Sequence, residues 1–329
     1  MTKYFKVLLL SLVFLSNRLS SQDADETGKF IGTIYFDAYS EVGEANNRTA
    51  MEIQRIYFGY NYHYDSKLTA YFKLDIGSPE NESAYSLIRR YAYFRNGGLR
   101  YKWNKFTFNV GLIDMFMFKT QEKYWGHRYV ERSFMDRFRF GPSADIGFNF
   151  MYNSEKWIVD GGLYNGEGYK NLQFDNSYRL NLGLSRFLWK DFLLRVHLDY
   201  NEKFVHRYTL SGFVGYNHDD KWIFGAEYNY QANTGFQQDR NMFGYSLYGS
   251  WNINSKWQYF ARFDMLNSTV LPDELVPWNL ATDGSSIITG FQYRLHQKVL
   301  VSLNYRDWYP YPENLDNETF LYLNLEVKI

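Results

Sequence analysis

Apolar and polar residues exchange places with period two along most of this chain. Residues 30–39 set Gly32, Ile34, Phe36 and Ala38 on one face against Thr33, Tyr35 and Asp37 on the other. Residues 51–64 set Ile56, Phe58, Tyr60, Tyr62 and Tyr64 against Arg55, Gly59, Asn61 and His63. Residues 68–77 set Leu68, Ala70, Phe72, Leu74 and Ile76 against Thr69, Lys73 and Asp75. Such alternation marks strands with one greasy and one wet face. The unit recurs over 87–103, 106–114, 143–153 and 156–165. Further pairs turn at Lys190-Asp191, at 218–220, at Asn254-Ser255 and at His296-Gln297, and the last strand is 319–329. Short turns and longer loops, the second of them at 78–86, alternate throughout. The spacing predicts about 16 strands of roughly ten residues, with short turns at one end and long loops at the other.

That regularity predicts an all-β fold, a transmembrane antiparallel β-barrel of about 16 strands. Two further patterns agree. Six of the nine Trp residues flank short turns: Trp103, Trp157, Trp189, Trp222, Trp251 and Trp257. Amphipathic rings at one level are the girdle expected at a membrane interface. Charged strand residues share the parity of the small and polar face, as Arg179, Arg195, Asp199, Glu227, Arg262, Asp264, Arg294 and Arg306 do. An Arg or Lys facing lipid at mid-bilayer would cost about 2–4 kcal/mol, so these point to the lumen. Arg186 breaks the parity, beside a turn where it reaches the headgroups.

Composition sharpens this picture. Aromatics make up 21% of the 329 residues, yet the mean hydropathy is −0.48, as expected when rings and polar residues interleave along a wall. The net charge is zero, which argues against nucleic acid as a partner. With no cysteine, disulfides, thiolate metal sites and a lipoprotein anchor are excluded. Residues 1–21 read as a signal peptide: Lys3 and Lys6, an apolar run over 7–15 too short to span a bilayer, then Leu19, Ser20 and Ser21. Residues 22–329 are then the exported barrel, with the lipid bilayer of a Gram-negative outer membrane and its lipopolysaccharide as surroundings.

One stretch does not alternate. Residues 115–142 hold Lys119, Lys123, Arg128, Arg132, Arg137 and Arg139 against Glu122, Glu131 and Asp136, among many rings. A barrel of this size has a lumen too wide for wall side chains to fill. This third long loop is expected to fold into the lumen and constrict it, with the loop residues named above, apart from Glu122, as the candidate constriction set. Arg55, Lys73, Arg179, Arg195, Arg262, Arg294 and Arg306 are the candidate lumen wall. Basic residues at a narrow point favour anions, although a solvated loop would carry the same charges. The mixed wall charges either set a field or stiffen the wall as ion pairs.

Enzyme signals are weak. The six His residues are scattered without metal-ligand spacing, and no phosphate or calcium loop is present. His197, near Arg195 and Asp199, is the one candidate base for a barrel hydrolase. No cofactor and no metal is expected.

Three segments carry a resemblance: 71–77 (Tyr-Phe-Lys-Leu-Asp-Ile-Gly), 108–118 and above all 129–150, with Val130-Glu131-Arg132-Ser133 and Asp145-Ile146-Gly147. The chain resembles the phosphate-selective porin O and P family. The resemblance implies a trimeric 16-stranded outer-membrane channel whose third loop folds inward and whose lumen Arg and Lys pass phosphate or polyphosphate. Ala144 stands where that family commonly has Arg, Gly111-Leu112-Ile113 replaces its Gly-Gln, and the chain ends in Ile329.

The expected function is passive diffusion of small hydrophilic solutes with a mild preference for anions, phosphate among them, in a homotrimer. The alternative is a non-conducting barrel subunit of a secretion or surface-assembly complex.

Overall fold

The computed structural model describes residues 27–43, 48–77 and 91–329. The signal-peptide reading of 1–21, the loop at 78–86 and the start of a strand at 87 lie outside them. The described residues form 16 antiparallel strands: β1 (Thr27–Glu41), β2 (Thr49–His63), β3 (Leu68–Gly77), β4 (Tyr91–Trp103), β5 (Phe106–Asp114), β6 (Ala144–Asn153), β7 (Trp157–Tyr164) and β8 (Arg179–Leu188). The second half is β9 (Phe192–Glu202), β10 (His206–His218), β11 (Trp222–Ala232), β12 (Met242–Asn252), β13 (Trp257–Ser268), β14 (Gly284–His296), β15 (Val299–Pro310) and β16 (Glu318–Lys328). Each strand pairs with its chain neighbours, and β1 pairs with β16 from Thr33 opposite Lys328 to Glu41 opposite Phe320. The sheet therefore closes without an edge. Among the described residues no helix is long and apolar enough to cross a membrane.

Alternation decides which face points where. On β8 and β9, Leu180, Leu182, Leu184, Leu194, Val196 and Leu198 are exposed, while Arg179, Asn181, Ser185, Arg195, His197 and Asp199 are buried. A soluble protein would reverse these faces; a barrel in lipid requires them. The rings near the short turns form a belt on the outside. Trp222 stacks on Trp251 at 5.1 Å, and the Arg186 guanidinium lies 4.9 Å from the Trp157 ring, at the level where it reaches headgroups.

The inner face has its own core. Met242, Tyr248, Phe260, Leu266 and Ile288 point inward and are buried. They are covered by residues 115–143, the segment between β5 and β6. It contains two short helices, α1 (Lys119–Trp125) and α2 (Phe134–Arg137). Gly126 ends α1 with φ 70°, a left-handed cap that favours glycine.

One irregularity shapes the opposite wall. A bulge between β3 and β4 leaves Arg95 without a partner between Phe94, opposite Leu74, and Asn96, opposite Lys73. Arg95 and Asn96 are consequently both buried inside the barrel, where strict alternation would place only one.

Candidate functional site

The segment 115–143 is fastened to one side of the inner wall. Its apolar residues Met117, Phe118, Phe134, Met135 and Phe140 cluster with Met242 and Leu266. Trp125, Tyr129 and Val130 cluster with Phe213, Tyr248, Phe260 and Ile288. Each such side chain contributes about 1.5–3 kcal/mol when fully removed from water. Hydrogen bonds fix the register. Gln121 donates to Ser211 Oγ (3.2 Å), Tyr129 to Gln292 Oε1 (2.9 Å), and Gln231 to the Phe140 carbonyl (2.6 Å). His127 contacts the Trp125 carbonyl at 2.6 Å and Gln258 Oε1 at 2.9 Å. Burial pulls the His127 pKa from 6.5 down to about 4, against the pull of these two bonds.

An ion-pair network completes the attachment. Arg262 pairs with Asp264 at 2.7 Å and donates to the Arg132 carbonyl at 2.5 Å. Arg137 donates to Asp264 (3.3 Å) and to Ser286 Oγ (2.8 Å). Glu131 lies 3.8 Å from Arg306 and 3.9 Å from Arg132. Burial pushes the Glu131 carboxyl up, but the charges of Arg137, Arg306, Arg132 and Arg262 outweigh it and hold the pKa at about 2.

On the other side of the lumen the segment leaves cavities. A cavity of about 250 Å³ lies between the segment and β1–β4, lined by Thr33, Tyr35, Tyr57, Lys73 and Arg95 from the wall and by Lys119, Glu122, Arg128 and Asp136 from the segment. It shares Asp136 and Ser143 with a vestibule of about 420 Å³ among the long loops, where Arg55, Arg132, Arg139, Lys170, Lys203 and Arg207 meet Glu167. Toward the short turns it shares Lys73 and Lys119 with a cavity of about 360 Å³ that adds Arg100, Asn109 and Asp114. Cations outnumber acids in all three linings. Within the middle cavity Arg128 pairs with Asp136 (3.0 Å) and Glu122 (3.5 Å), and Lys119 lies 3.7 Å from Glu122.

The candidate residues divide between the two sides. Lys119, Arg128, Arg132, Asp136 and Arg139 border the open path, as do Arg55 and Lys73 from the wall. Glu131 and Arg137 face the wall network. Lys123 is exposed but borders none of these three cavities. Arg179, Arg195 and Arg262 point inward yet are buried behind the segment rather than facing the opening. Arg179 pairs with Asp199 (2.7 Å), while Arg195 pairs with Asp160 (2.6 Å) and donates to the Phe116 carbonyl (3.1 Å). Arg306 is bound to Asn304 and Asn324, and Arg294 sits at a short turn near the Ser255 carbonyl. Arg95, Arg100, Lys170, Lys203 and Arg207 border the path without having been singled out in the sequence. The bulge hides Arg95 from alternation, and three of the others lie in loops or at a loop edge. His197 is fully buried, with Nδ1 3.3 Å from Arg195, and among the described residues no three His, Cys, Asp or Glu are grouped to hold a metal.

Solved structures with the same architecture are outer-membrane proteins. The outer membrane channel DcaP of Acinetobacter baumannii superposes with a TM-score of 0.67 at 8% identity, covering 94% of this chain and 100% of that one. The fold is that of an outer-membrane barrel. An anion-selective porin from Comamonas acidovorans gives 0.66 at 10% identity, covering 93% and 100%. Outer-membrane expressed OmpT of Vibrio cholerae gives 0.65 at 12% identity, covering 94% and 99%. No family model matches the chain, and no curated protein sequence matches it significantly. The likeness is one of fold.

Proposed function

We infer that this protein is a passive diffusion porin of the Gram-negative outer membrane, without a catalytic step, and that it prefers small hydrophilic anions. The observation that carries this reading is the line of three cavities between the segment 115–143 and β1–β4, each with more cations than acids in its lining. Cations at a narrow, partly desolvated opening raise the local anion concentration and lower the barrier to anion entry. Phosphate is one such anion. The same reading has residues 1–21 removed on export and the barrel held in lipopolysaccharide, assembled as a homotrimer.

The test is purified protein in planar bilayers under a salt gradient. Discrete conductance steps with a reversal potential favouring chloride over potassium are expected. Absence of conductance would remove the porin reading and favour a sealed barrel within an envelope complex. A reversal potential favouring potassium would remove the anion preference. Chemical cross-linking in detergent checks the trimer.

A further inference from the structure

The cations along the open path lie against aromatic rings. In the vestibule the Arg207 guanidinium lies 4.2 Å from the Phe236 ring, and Lys203 lies 5.2 Å from it. Between vestibule and middle cavity, Arg95 lies 5.1 Å from the Tyr169 ring. In the middle cavity Lys73 lies 5.3 Å from the Tyr57 ring. Toward the short turns Arg100 lies 5.0 Å from the Tyr71 ring. All four rings border the cavities. Two bordering residues are also held at backbone angles that non-glycine residues rarely adopt, Phe236 at φ 59° and Arg139 at φ 57°.

A path for bare inorganic ions has no use for ring faces. Guanidinium planes and phenol rings in alternation instead suit a solute that is both charged and flat. A carboxylate pairs with the Arg and Lys heads, while an attached ring stacks on guanidinium planes and meets phenol rings edge to face. The carboxylates in these linings are offset by protein cations, Asp136 by Arg128, Asp114 by Arg95 and Glu167 by Lys203, and cations remain in excess.

We propose that the path is a binding track for small aromatic carboxylates, with alternating cation–ring pairs as its successive subsites. This rests on the porin reading and names the solute class within it. Each contact of this kind strengthens as water is excluded from it. One or two contacts of this kind in a partly wet lumen correspond to roughly a tenfold preference, about 1.4 kcal/mol, for an aromatic over a saturated ring of equal charge.

The experiment uses single channels of the full mature chain in potassium chloride, titrated with benzoate and, separately, with cyclohexanecarboxylate. Benzoate is expected to interrupt the current at roughly tenfold lower concentration. In Tyr169→Leu and Phe236→Leu channels that gap is expected to shrink toward parity. Channels that still open in potassium chloride report an assembled barrel. Equal potency of the two acids in the unmodified protein overturns the proposal and leaves the porin reading standing. An advantage for benzoate that survives both substitutions overturns the assignment to the track. Failure of the unmodified protein to conduct potassium chloride overturns the porin reading itself.

Discussion

Asp264 holds two arginines in place, and its replacement by Asn tests how the segment 115–143 is fastened. The carboxylate is fully buried and shared by Arg262 at 2.7 Å and Arg137 at 3.3 Å. Arg262 is itself buried and donates to the Arg132 carbonyl. Asp264→Asn keeps the volume and removes the charge, leaving a buried guanidinium without its counter-ion. Removing one partner of a buried pair costs about 3–5 kcal/mol. Glu131, near enough to lower the charge felt by Arg262 and Arg137, brings the expected cost to the low end, about 3 kcal/mol. At about 1.4 kcal/mol per factor of ten, the population with a released segment rises roughly a hundredfold. Trypsin reads this directly, because the segment carries six Lys and Arg whose backbone lies inside the barrel, where the protease does not fit, until the segment is released. In detergent, with cleavage slower than reclosing, the cutting rate tracks that population and rises by the same factor. Asp264→Asn combined with Arg262→Met removes both charges and is expected to recover most of the protection, since apolar replacement of a buried ion pair is often close to neutral. A single variant as resistant as the unmodified protein, or a double variant cut faster than the single one, would refute the reasoning.

Lys119→Glu reverses a charge in the middle cavity and is expected to move the reversal potential from the chloride side toward zero, measured in a potassium chloride gradient. His127 gives a pH dependence. Its unfolded pKa lies near 6.5 and its folded pKa near 4 because burial favours the neutral ring, so the associated stability is fully present above pH 6.5 and is lost as pH falls through 4. The difference is about 3 kcal/mol, seen as a falling unfolding midpoint between those pH values that flattens in His127→Gln. Gly111 has φ 117°, and a Cβ there would lie 2.4 Å from the Gly97 carbonyl oxygen on β4. Gly111→Ala is expected to cost about 1–3 kcal/mol of barrel stability, measured by urea unfolding in detergent.

The strands were legible because lipid and lumen impose opposite chemistry on adjacent residues, so Leu180, Leu182 and Leu184 betray their face by parity alone. The same parity places Arg179, Arg195 and Arg262 inward, but it carries no information on whether the lumen beside them is filled. Which side of the barrel the segment covers depends on where large apolar side chains replace polar ones inside, at Met242, Phe260, Leu266 and Ile288. Those positions read as minor breaks in an otherwise polar pattern. Arg95 was hidden by a bulge that shifts register by one residue. Lys203 was hidden because loops have no period, and Arg207 because it stands where β10 has only begun.

The one-sided attachment divides the chain into a support and a reader. The strands that hold most of the segment's apolar face, β10 to β14, contribute no residue to the middle cavity, whereas its barrel-wall residues all come from β1 to β4. A chimera that exchanges only the inward positions of the first four strands would therefore rebuild the barrel wall of the middle cavity and leave the packing of the segment in place. Variation among descendants of such a barrel has room to concentrate in the first third of the sequence while the remainder is held to its packing.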